Sequence, residues 1–117
     1  MAAAYLVAFN RTRGRVLATR VTKAEDYASR RRGLLGRDSM DPAEGLWIVP
    51  CPMIHTFFMR FSIDALFLSR RLEVMRVIEG MRPWRLSPWV WGAQSVLELR
   101  GGTLRGSAAA GDVIEFR

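Results

Sequence analysis

Short runs of alternating apolar and polar residues dominate the chain, and they predict strands. Residues 5–9 and 15–20 read as a hairpin whose link, from Asn10 to Gly14, has polar, glycine-ended loop chemistry. The period then changes. Thr22 followed by Glu25 has the spacing of a capping box, and Ala24, Tyr27, Ala28, Leu34 and Leu35 fall on one face at helical intervals. They predict one helix, with Arg30, Arg31 and Arg32 in its last turns and Gly36 placed to cap it; three arginines could clamp a phosphate, but positive charge there suits the helix dipole, and the structural reading is preferred.

After a loop over 38–44 and a short buried strand over 46–49, Pro50 and Pro52 bracket Cys51. Neither proline can donate to a ladder, so this point is an edge, a bulge or a turn. Long apolar strands are predicted over 54–61 and 63–69, with Arg70 and Arg71 turning into another over 73–81. A long loop over 82–94 holds three of the four Trp. The strand over 95–99 sets Leu97 and Leu99 against Glu98 and Arg100. A turn from Gly101 with one short helical turn up to Ala110, then Gly111 and Asp112, leads into a last strand over 113–116. The fold class expected is α+β and β-rich: a small barrel-like or sandwich β domain with one helix packed on it in the N-terminal half. Residues 1–117 are read as a single domain, long enough to fold without a disulfide or metal staple.

Composition changes this picture little, charge somewhat more. Half the residues are hydrophobic and a quarter charged, which is globular composition. One Cys cannot form an intramolecular disulfide. The first nine residues are apolar but follow no basic residue, and no run approaches the ~18 residues of a membrane span. The expectation is a cytoplasmic protein with no membrane partner. The formal charge is +7, and all 18 basic residues except Lys23 are Arg. That meets the first test of a nucleic-acid binder, although the arginines are spread along the chain.

Three groups of residues carry candidate chemistry. Cys51, Met53, His55 and Met59 are soft donors suited to Cu(I), but they are too few for a closed zinc site, so no metal and no cofactor is expected. Strand alternation would put His55 on an apolar face with Phe57, Met59 and Phe61, as a core histidine. Cys51, His55 and Asp64 could instead act as nucleophile, base and orienting acid. Asp64 shares a strand face with Ser62, Leu66 and Leu68, and a buried Asp needs a partner, for which Arg is the leading choice. Trp84, Trp89 and Trp91, with Arg82 and Arg85, form a proline-framed binding loop, and Thr56 of the central stretch is grouped with them as ligand-binding. The opposing reading folds the Trp rings back to close one end of the barrel.

Taken in order, GLLGR (33–37), EGLWI (44–48), IHTFFMRFSIDALFL (54–68), RPWR (82–85), VLEL (96–99), Gly102-Thr103 and GDVIEF (111–116) resemble the family catalogued as domain of unknown function 192. The resemblance covers nearly the whole chain. Ser62 stands where the family usually has proline, and the segment before Gly111 is shortened. The resemblance implies a small β-rich fold and carries over no catalytic residue, cofactor or partner. The functional expectation is a non-enzymatic small-ligand or protein binding module using the Trp/Arg loop and the central strands. The alternatives are single-stranded nucleic-acid binding and an enzyme around Cys51, His55 and Asp64.

Overall fold

A computed structural model describes residues 4–117. Among them, one sheet contains β1 (Leu6–Asn10), β2 (Arg15–Ala24), β3 (Glu44–Ile48), β4 (Ile63–Leu68), β5 (Val74–Met81), β6 (Ser95–Arg100) and β7 (Ile114–Phe116), and one helix, α1 (Tyr27–Arg32), lies outside it. The strand order is β5-β4-β6-β3-β2-β1-β7. Only the β2–β3 pair is parallel among these neighbours. The sheet curls until its two ends meet. Glu73 bridges Val113, and the Val74 N–H donates to the Asp112 carbonyl at 2.7 Å. The result is a β-rich half-barrel, as the alternation pattern predicts.

Each face of the sheet buries its own apolar cluster. Inside the curl, Val21, Leu66, Leu68, Leu97, Leu99 and Ile114 pack with Leu104 and Ala108 of the late loop. Trp47 of β3 stacks on Phe116 of β7 with ring centroids 3.8 Å apart. Gly45 lets β3 approach this cluster, since a Cβ there would lie 3.1–3.3 Å from Val21, Leu99 and Leu97. On the outer face, Leu46, Ile48, Ile63, Ala65, Phe67 and Val96 are covered by Leu34, Met40, Ile54 and Met59. β4 and β6 lie between paired neighbours and between both clusters, so β4 is buried at every position. That explains why its sequence is a nearly continuous apolar run.

Three local expectations are corrected. Thr22 does not cap a helix: β2 runs on to Ala24, and Thr22 pairs with Leu46 of β3. Five ladder pairs with β3 outweigh the local capping signal, and the N-cap falls to Asp26, whose carboxylate accepts from the Ser29 N–H at 2.7 Å. The helix is six residues long with none buried, and Leu34, beyond it, enters the core. Residues 54–61 are not a strand either. Phe58 takes a left-handed φ of 63°, and the segment bonds to the Trp loop instead of joining the sheet. Ile54, Thr56 and Met59 turn inward, whereas His55 and Phe58 are exposed, so His55 is not a core histidine. The segment over 103–110 forms successive turns with no helical turn.

Candidate functional site

The outer face of the sheet is roofed by two loops that bind each other through their backbones. The Cys51 N–H donates to the Gln94 carbonyl, Val90 to Pro52, Ser87 to Ile54, Thr56 to Arg85 and Trp84 to Thr56, all at 2.9–3.0 Å. The Thr56 hydroxyl donates to the Arg82 carbonyl at 2.6 Å and accepts from the Arg85 N–H at 2.9 Å. The Ser87 hydroxyl accepts from the Ile54 N–H at 2.9 Å. Because the loops satisfy one another, they form a plate over the sheet, with Ile54, Met59 and Val90 packed down onto it. Between this plate, α1 and β3 lies a cavity of about 380 Å³, walled by Leu34, Ile48, Ile54 and Met59. That size suits a small organic ligand.

Glu98 of β6 lines this cavity. It stands opposite Leu46 on β3 and Ala65 on β4, so it projects to the outer face, where the short Ala65 side chain leaves room. The residue is only 4% exposed, and its carboxyl makes no hydrogen bond or ion pair among the described residues. No fully sealed side-chain oxygen or nitrogen lacks a partner among those residues, so the Glu98 oxygens are reached from the cavity. Burial pushes the Glu98 carboxyl up to about 8, so at neutral pH it is mostly protonated and can donate one hydrogen bond. Sequence alternation reads Glu98 as a solvent-facing charge. The missed signal was Val96, two positions earlier on the same face, which marks that face as covered.

Cys51 and His55 line the same cavity, but Asp64 does not. Asp64 projects into the curl, on the other face of the sheet. Its carboxylate is filled by the N–H groups of Gly80 at 2.8 Å, Gly102 at 3.2 Å and Leu104 at 2.9 Å. It therefore neither orients His55 nor pairs with an Arg. The His55 Nδ1 accepts from the Phe57 N–H at 3.2 Å, and its ring stacks on Phe57. The Cys51 thiol donates to the Met53 carbonyl at 3.0 Å, and burial pushes it up to about 11, which leaves almost no thiolate at neutral pH. Among the described residues, no three His, Cys, Asp or Glu side chains converge to hold a metal.

The Trp loop forms the outer side of the plate. Trp84 is 55% exposed and packs on Phe58 at 4.5 Å between ring centroids. Trp89 and Trp91 meet edge to face at 6.0 Å, with Trp91 83% exposed. Arg82 and Arg85 are exposed beside them, while Thr56 is fully buried beneath. None of these six residues lines the cavity. The sequence-predicted candidates thus divide into a cavity pair, a structural acid and a surface patch underpinned by Thr56.

A "UPF0127 protein" of Thermococcus sibiricus is 34% identical over 113 residues, an alignment covering 92% of this chain and 72% of that protein. Two crystal structures share the fold at 23% identity. One, a protein of Sinorhizobium meliloti 1021 described as a candidate transcription regulator, superposes with a TM-score of 0.81 over 99% of this chain and 98% of its own. The other, a protein of unknown function from Novosphingobium aromaticivorans, gives 0.80 over 94% and 82%. Neither assigns an activity to this chain. The profile of DUF192, described as "Uncharacterized ACR", matches residues 8–116, and the chain belongs to that family.

Proposed function

We propose that the protein is a binding module for a small, largely apolar molecule held in the cavity above Glu98. The observation that carries this reading is the Glu98 carboxyl, buried, unpartnered among the described residues and reached from the cavity. An apolar guest that shut water out of the cavity would leave this carboxyl unsatisfied at a cost on the order of 2–7 kcal/mol, whereas a guest with an oxygen there accepts its hydrogen bond. The plate then serves as a wall for the ligand, with the Trp/Arg loop bracing it from outside. Catalysis by Cys51 has little support, because the thiol is protonated and Asp64 lies across the sheet.

Titrating 4-phenylbutanol into isotopically labelled protein tests the reading by amide chemical shift. Shifts at Leu34, at residues 51–55 and around Glu98 are expected. Shifts confined to the Trp loop, or absent at millimolar ligand, would count against the cavity. A second reading, single-stranded nucleic acid on the outer side of the plate, is favoured by one observation. Residues 82–97 contain exposed Arg82, Arg85, Trp89 and Trp91 and no acidic residue.

A further inference from the structure

The mouth of the cavity is basic and its floor is a hydrogen-bond donor. Arg30, Arg31 and Arg32 of α1 all border it. None of the three forms an ion pair among the described residues, and the one hydrogen bond their side chains make there is from the Arg30 Nε to the Asp26 carbonyl at 3.4 Å. Among the described residues the only acid lining the cavity is Glu98, and it is mostly uncharged at neutral pH. A guest with a cationic head therefore meets three like charges, and one with an anionic head meets planar guanidinium donors suited to it. Resting on the cavity reading above, we infer that the ligand is an amphiphilic anion, with its charged head on the α1 arginines, an apolar body along Ile48, Ile54 and Met59, and a neutral oxygen accepting from Glu98.

Four matched probes test this: 4-phenylbutyrate, 4-phenylbutanol, 4-phenylbutylamine and 4-(4-acetylphenyl)butyrate. At pH 6.5 the butyrate binds about fivefold or more tighter than the alcohol, and the amine binds weakest. The Arg30→Ala/Arg31→Ala/Arg32→Ala triple variant, which changes only helix positions with no buried residue, erases the preference for butyrate and weakens the alcohol far less. The acetyl group adds about a further fivefold in the wild type and in Glu98→Gln, whose amide still donates, but not in Glu98→Leu. That gain fades as pH rises past about 8 in the wild type alone. The titratable groups that line the cavity with Glu98 are Tyr27 and the arginines of α1, with Cys51 and His55 of the roof; its ladder neighbours Leu46 and Ala65 do not titrate. If the alcohol or amine binds as tightly as the butyrate, with shifts at 51–55, the anion assignment falls and the cavity reading stands. If none of the four perturbs residues 51–55, the cavity reading falls and takes this inference with it. An acetyl gain retained in Glu98→Leu overturns the role given to Glu98.

Discussion

Glu98 makes the stability of the protein depend on pH in a direction opposite to that of a paired carboxylate. In the unfolded chain its carboxyl loses its proton near 4.5, whereas the folded state holds that proton up to about 8. Between those values the folded state binds more protons than the unfolded state. Stability is therefore full below the lower value and declines with rising pH, by about 1.4 kcal/mol per unit at the steepest. Glu44, held low chiefly by its bond to Arg37, and Asp112, held low chiefly by Asn10, lose their contributions only under more acidic conditions. Melting curves from pH 5 to pH 8 should fall for the wild type and stay level for Glu98→Gln. Parallel curves would mean that Glu98 is not buried as described. At this scale the sequence is legible to an uneven degree. That Asp64 is buried and must be paired follows from its apolar strand, but its partners are backbone groups from distant turns, which carry no side-chain signature. Glu98 was hidden by a rule that usually works, because an acid alternating with leucines normally faces water.

Asp64, on the strand between β5 and β6, reinforces their ladders at one end of the sheet. One oxygen holds the Gly80 and Gly102 N–H groups and the other holds Leu104, so one side chain gathers the end of β5 and the loop after β6, beside the backbone pairing of Ile63 with Met81 and of Gly101 with Ser62. Replacing it with Asn removes one charge-assisted acceptor and should cost about 1–3 kcal/mol. Asp64→Ala, which abandons three donors, should cost more. Urea unfolding measures both, and a loss below about 0.5 kcal/mol for Asp64→Ala would show that water replaces the carboxylate freely. Strands whose alternation is enforced by pairing, such as β1, β2, β5 and β7, are readable from their residues. The roof segment over 54–61 is not. It has strand composition, but Pro50 and Pro52 and the turn at Phe58 divert it, and its hydrogen bonds go to a loop whose partner cannot be read locally. The helix is overcalled for a related reason, since pairing with β3 claims the residues that would have capped it.

For the whole molecule, the +7 charge and the exposed tryptophans make nucleic-acid binding a reading to be tested by salt. If single strands stack on the plate, a dT20 oligonucleotide quenches tryptophan fluorescence. Its affinity drops steeply between about 50 and 200 mM salt, and Trp91→Ala weakens it by about 1–3 kcal/mol. Unquenched fluorescence at about 50 mM salt would confine the positive charge to a general role in solubility. Net charge was plain in the sequence, but its arrangement was not. Arg30, Arg31 and Arg32 reach the cavity because β2, α1 and the roof segment bring distant residues together.

The roof is held by peptide groups and by the hydroxyls of Thr56 and Ser87, while Met53 and His55 line the cavity and contribute little of that bonding through their side chains. Those positions can therefore be exchanged without dismantling the frame. On the cavity reading proposed above, the residues that keep this chain folded are separate from those that would meet a guest. Substitution at Met53 or His55 would then change which molecule fits while the frame stays in place.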